Sequence, residues 1–116
     1  MQKFEIRQRD LAEGVIELDV VGELDLAVAD QLGSALEEAR QAGANVLISL
    51  GSCEFIDSTG IAAIIDAWKR LGDDGQRLAV AEPTEQVVRL LEIVGIADRG
   101  LVFSDRDAAL KAVGAA

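Results

Sequence analysis

The chain contains no histidine and no tyrosine, a single cysteine, a single proline and few aromatic residues of any kind. Without histidine, a Ser/His/Asp triad, a Cys/His dyad and a Cys/His zinc cluster are all excluded within the chain. The lone Cys53 has no partner for an internal disulfide and reads as a small buried hydrophobe rather than a redox centre. Carboxylate-only or lysine-based catalysis survives these exclusions, but no motif supports it. Basic residues are scarce as well: 11 Lys and Arg against 21 Asp and Glu give a formal charge of -10. A surface of that sign repels phosphate backbones and anionic headgroups, which argues against nucleic acid and membrane surfaces as partners. No apolar run approaches about 20 residues, and the N-terminal MQKFEIRQRD lacks the apolar stretch of a signal peptide, so a cytoplasmic protein is expected.

With hydrophobic residues at 50% and aromatics at 3%, the core has to be built from Val, Ile, Leu and Ala, the packing usual where helices cover a sheet. The 116 residues are expected to form one domain, 1–116. Alternation in KFEIRQ and in VIELDVVG, where Ile16, Leu18 and Val20 share one face and Glu17 and Asp19 the other, predicts an opening β-hairpin. LDLAVADQLGSALEEARQAG carries Val28, Leu32, Ala35, Leu36 and Ala39 at helical spacing, with Asp25 as candidate N-cap. NVLISL reads as a buried strand, FIDSTG as the loop after it, and IAAIIDAWKRLG as a second helix. RLAVA is a further strand ended by Pro83, and Thr84 caps a helix with the stripe Val87, Leu90, Leu91 and Val94. A short strand, LVF, and a last helix capped by Ser104 complete the chain. Strands and about four helices in strict alternation after the hairpin predict an α/β fold with a mixed, mostly parallel sheet. In such sheets, sites gather where loops leave the carboxyl ends of strands, and both GELD and FIDSTG lie on such loops.

FIDSTG offers more oxygen than a helix start needs. One capping side chain suffices, worth about 1 kcal/mol over Ala, whereas Asp57, Ser58 and Thr59 stand together. Gly60 then follows inside the helix, at a cost of roughly 0.8–1.0 kcal/mol, which suggests that something there needs backbone clearance. Helical projection puts Ile61, Ile64, Ile65, Trp68 and Leu71 on one side as core. The opposite side begins with Ala62 and Ala63 and continues through Asp66, a low platform beside the hydroxyls that another protein could approach. Helix N-termini also accept phosphate, so a bound phosphate ligand and a phosphoserine are both consistent with the stretch. A nucleotide loop is not: no GxxxxGK[ST] or GxGxxG is present, no basic residue stands between Asn45 and Ala67, and Asp57, Glu54 and Asp25 bring negative charge.

The run VxGELDLAxAxxL, then VLISLGSCEFIDSTGIAAI, then RLAVAEPTEQVVRLLEIVGI and a terminal helix, resembles the STAS domain of bacterial anti-sigma factor antagonists over nearly the whole chain. The resemblance implies a non-enzymatic, cofactor-free switch. Its partner would be an anti-sigma factor that is also a GHKL-type serine kinase, and a PP2C-type phosphatase would reset it. It places the phosphoacceptor at Ser58, with Thr59 as the alternative, and Asp25 close by. Partner contact is then expected through Asp25, Asp57, Ser58, Thr59, Gly60, Ala62, Ala63 and Asp66. The same fold also serves as a regulatory subunit of ABC-type lipid transporters or of stress-signalling assemblies. From the enzyme class, a small phosphatase or nucleotide hydrolase with Asp25 and Asp57 on Mg²⁺ lacks the motifs for substrate phosphates.

Overall fold

The computed structural model describes residues 4–95 and 99–114. β1 (Glu5–Asp10) runs antiparallel to β2 (Val15–Leu24), and Glu13 and Gly14 take positive φ to close the hairpin. Lys3, placed in the first strand by its sequence pattern, lies outside the described residues. There follow α1 (Ala29–Gln41), β3 (Asn45–Ser49), β4 (Cys53–Ile56), α2 (Ser58–Asp73), β5 (Leu78–Ala81), α3 (Glu85–Ile93), β6 (Val102–Phe103) and α4 (Arg106–Ala112). The sheet order is β1-β2-β3-β5-β6, with β4 on β2; every pairing after the hairpin is parallel. The expected mixed, mostly parallel α/β fold with four helices is therefore observed. No described helix is long and apolar enough to cross a membrane.

Two aliphatic clusters hold the layers together. The larger joins Leu18 and Val20 of β2, Val46 and Ile48 of β3, and the inner faces of α1, α2 and α3. The smaller lies on the other face of the sheet, where Ala109 and Val113 meet Val15, Leu47, Ala79 and Ala81.

Several local expectations are corrected. β4 breaks the strict alternation: Leu50–Ser52 turn the chain, and Cys53–Ile56 then pair with the far end of β2 while β3 pairs with its near end. FIDSTG is thus not a loop: Phe55 and Ile56 lie on β4, Asp57 is the N-cap, and Ser58–Gly60 open α2. Asp25 does not cap α1. It accepts from the Ala27 N–H at 3.0 Å in a turn that precedes the helix, and the capping position, Val28, offers no side-chain acceptor. Thr84 caps α3 as expected, accepting from Val87 N–H at 3.3 Å, but Val94 falls beyond the helix and is exposed. For α4 the cap is Asp105 rather than Ser104, because its carboxylate reaches the Ala108 N–H at 2.8 Å.

Glu17 does point away from Ile16 and Leu18, but not into solvent: it is 1% exposed. Arg106 grips the carboxylate with two contacts, Nη2 at 2.7 Å and Nε at 3.2 Å, while Arg9 approaches at 2.8 Å and the Ser49 hydroxyl donates at 2.8 Å. Partners of this kind are what a buried charge requires, and they tie α4 and β1 to the middle of the sheet. Burial pushes the Glu17 carboxyl up, yet the hydrogen bonds from Arg106 and Ser49 and the charges of Arg106 and Arg9 outweigh it and leave it below the ordinary glutamate range. A folded-state pKa below the unfolded one stabilises the protein above the unfolded value, near 4.3, and that contribution disappears as pH falls through the folded value. Melting temperature should therefore drop on acidification below about pH 4, and Glu17→Gln should flatten that limb. An unchanged acid slope in Glu17→Gln would show that other carboxylates carry it.

Candidate functional site

The site forms where two parallel strands end side by side. Leu24 of β2 is in register with Ile56 of β4, and the Asp57 N–H donates to the Leu24 carbonyl at 3.1 Å. Asp25 and Asp57 therefore leave the sheet from adjacent strands at its carboxyl edge. Asp57 sits in extended backbone as the N-cap of α2, and one oxygen, Oδ1, does the capping. It accepts from Thr59 N–H at 3.0 Å, Gly60 N–H at 3.2 Å and the Thr59 hydroxyl at 2.5 Å. The Thr59 hydroxyl, helped by the backbone N–H groups of Gly60, Thr59 and Leu26 against a smaller effect of burial, holds the Asp57 carboxyl below the usual aspartate range.

This division of labour separates the three oxygen-bearing side chains. Asp57 and the half-buried Thr59 are spent on the helix start. Ser58 is exposed, and among the described residues no hydrogen bond engages its hydroxyl. It lies in the first turn of α2, where the helix dipole favours negative charge.

The glycine has a different reason from the one its position suggested. Gly60 is buried and faces inward; a Cβ there would stand 2.8 Å from Leu24 Cγ and Cδ2 and 2.9 Å from Ile56 Cγ1. The clearance is used by the protein's own strands, and Gly60 bears on the outer surface only by setting how closely α2 lies on β2 and β4. Gly33, inside α1, is the reverse case, since a Cβ there would meet nothing within 4 Å. Alanine at Gly33 should thus gain close to the full propensity difference of about 0.8–1.0 kcal/mol. At Gly60 that gain is set against overpacking of about 1–3 kcal/mol, so Gly60→Ala should lower the melting temperature while Gly33→Ala raises it. Shifts of the same sign in the two variants would contradict the packing described.

The core face of α2 is turned slightly from its projection. Gly60, Ile61, Ile64, Ala67 and Leu71 are buried, whereas Ile65 and Trp68 are only partly covered at the flank of the larger cluster. Ala62 and Asp66 are exposed and Ala63 half-buried, on the side that faces α1. Between the two helices runs a groove of about 430 Å³ that also takes in Thr59 and, from the α1 side, Leu26, Ala29, Asp30 and Gly33. Those residues of α1 and the turn before it are absent from the sequence-based site; the unforced helix glycine at Gly33 was the available signal. Cys53 is buried, its S–H directed at the Phe55 carbonyl at 3.3 Å, and burial pushes its thiol up. Among the described residues no group of three or more His, Cys, Asp or Glu side chains is placed to share a metal ion.

Comparison with known proteins matches residues 5–109 to the family model of the STAS domain. The chain belongs to the STAS-domain family. It is 31% identical over 85 residues to an anti-sigma F factor antagonist of Paenibacillus polymyxa, spanning 72% of this chain and 73% of that protein. An anti-sigma-B factor antagonist of Bacillus subtilis is 29% identical over 86 residues, spanning 74% and 79%. The crystal structure of an anti-sigma factor antagonist from Mycobacterium paratuberculosis superposes with a TM-score of 0.82 at 23% identity, covering 96% of this chain and 94% of that one. This STAS domain thus shares family with anti-sigma factor antagonists and shares the fold of one along nearly its whole length.

Proposed function

We propose that this STAS-domain protein is an anti-sigma factor antagonist switched by phosphorylation of Ser58. In the unphosphorylated state it binds an anti-sigma factor that is also a GHKL-type serine kinase, so that the sigma factor is freed. Phosphorylated, it lets that partner go, and a PP2C-type phosphatase restores it. The observation that carries the reading is the unengaged, exposed Ser58 hydroxyl beside a Thr59 hydroxyl already donated to Asp57. The relatives named above supply the partner class, and Asp57 adjoins the acceptor while Asp25 follows the end of the neighbouring strand. Contact extends from Ser58 and Thr59 over Ala62, Ala63 and Asp66, whose small or short side chains let a kinase surface lie close to α2. Such a partner places the protein in the cytoplasm.

Incubation with the partner kinase and ATP, followed by phosphosite mapping, tests the reading. Phosphate should appear on Ser58 alone. Absence of incorporation into wild-type protein that does bind the kinase would leave an antagonist without this switch.

A further inference from the structure

We propose that the groove between α1 and α2 receives an aliphatic side chain of the anti-sigma factor together with a neighbouring arginine or lysine. This rests on the function proposed above and extends the partner surface from α2 onto α1. Three observations point to that occupant. The groove is apolar at its base, where Ala29, Leu36, Ala67 and Leu71 are buried, and Leu26 stands 73% exposed at its mouth. An aliphatic side chain laid there would cover that leucine. Charge along the rim is uneven. Glu37 is neutralised by Arg40 and Asp66 by Arg70, at 2.5 and 3.1 Å, whereas no described cation pairs with Asp30. The uncompensated carboxylate on the groove, Asp30, thus stands in the first turn of α1, where a cation on the partner would meet it. A partner presenting carboxylates there would be repelled.

Gly33 is the third observation. It lines the groove from the middle of α1 with an ordinary helical φ, and nothing occupies the space where its Cβ would be. No turn or close packing within the chain calls for a glycine there, and alanine would favour the helix. What the missing side chain supplies is depth in the groove.

The test titrates purified wild-type protein and variants with the purified GHKL-type anti-sigma kinases of the source organism by calorimetry with ADP present. Gly33→Leu, which fills the groove, should bind at least tenfold more weakly and melt no lower than wild type. Asp30→Lys, an exposed change that leaves packing intact, should also bind at least tenfold more weakly, and its affinity should depend less steeply on salt. If both bind as wild type does while Ser58→Asp binds poorly, the groove is not the docking site, and the switch stands. If Ser58→Asp also binds as wild type, or no kinase binds, the underlying function is wrong and this inference falls with it. Sedimentation supplies the other arm: a wild-type dimer that Gly33→Leu makes monomeric would seat a second copy in the groove and overturn the proposal.

Discussion

Truncating Ile64 to alanine should destabilise the protein by about 2–5 kcal/mol, the range for large-to-small changes in a packed core. Ile64 is 3% exposed and sits at the centre of the buried face of α2, between Ile61 and Leu71. How much of the range is realised depends on whether the helix can settle into the space left behind. Here it is held off: α2 already lies so close to the sheet at Gly60 that a single Cβ would collide with Leu24 and Ile56. A helix pinned at its first turn cannot follow the cavity inward, so the loss should fall in the upper half of the range. For a chain near 100 residues each kcal/mol moves the melting temperature by roughly 4 °C, which makes the change readily visible by calorimetry or circular dichroism. Ile65→Ala, at the partly covered flank, should cost clearly less. Equal losses in the two variants would mean that α2 is rotated toward Ile65 and that the face assigned to partner contact is misplaced.

The difference between the two isoleucines also shows how far the sequence could be read. Periodicity located α2 and its buried side because one continuous apolar stripe runs along it, but projection at a fixed angle cannot tell which edge of the stripe faces the sheet. That was decided by Gly60, a residue carrying no hydrophobic signal, whose lack of a side chain lets Leu24 and Ile56 approach. β4 was hidden for a related reason. It has only four residues, its Cys53 and Ile56 are buried while Glu54 and Phe55 are exposed, and it follows a Gly-Ser turn that looks like the start of a loop. Glu17 obeyed its alternation, but its burial was not legible, since Arg9 meets it across the hairpin while Arg106 comes from a distant segment that pattern alone does not bring there. Caps fared unevenly for a plain physical cause: Ser104 and Asp105 are both competent acceptors and backbone geometry chooses between them, while at α1 it puts Val28 at the capping position and leaves Asp25 to the turn before it. The carboxyl-edge location of the candidate site was legible because parallel topology dictates it. The α1 half of the groove was not, because only the packing of two helices creates it.

Phosphorylation of Ser58, or its imitation by Ser58→Asp, should leave the fold intact and weaken kinase binding at least tenfold. The fold should persist because the added charge, about -1.5 to -2 for a phosphate, falls in the first turn of α2, where the helix dipole stabilises anions, and because the cap is made by Asp57 and Thr59. The surface changes instead. At a separation near 6 Å and an effective dielectric of about 20, each new like-charge pair costs on the order of 3 kcal/mol before screening. Half of that is still roughly tenfold in affinity, so a partner that packs closely on Ala62 and Ala63, or brings its own carboxylates, is released without a large conformational change. Ser58→Ala should bind the kinase and accept no phosphate, and Ser58→Asp should keep a wild-type circular dichroism spectrum while binding poorly. Undiminished incorporation into Ser58→Ala would move the acceptor to Thr59. That alternative has its own signature, since a phosphate on Thr59 would remove the hydroxyl donor 2.5 Å from Asp57 Oδ1 and set two anions against each other at the helix start. Phosphorylation at Thr59 should then lower the melting temperature, whereas phosphorylation at Ser58 should leave it nearly unchanged, and the two acceptors are separated by a thermal scan of the modified protein.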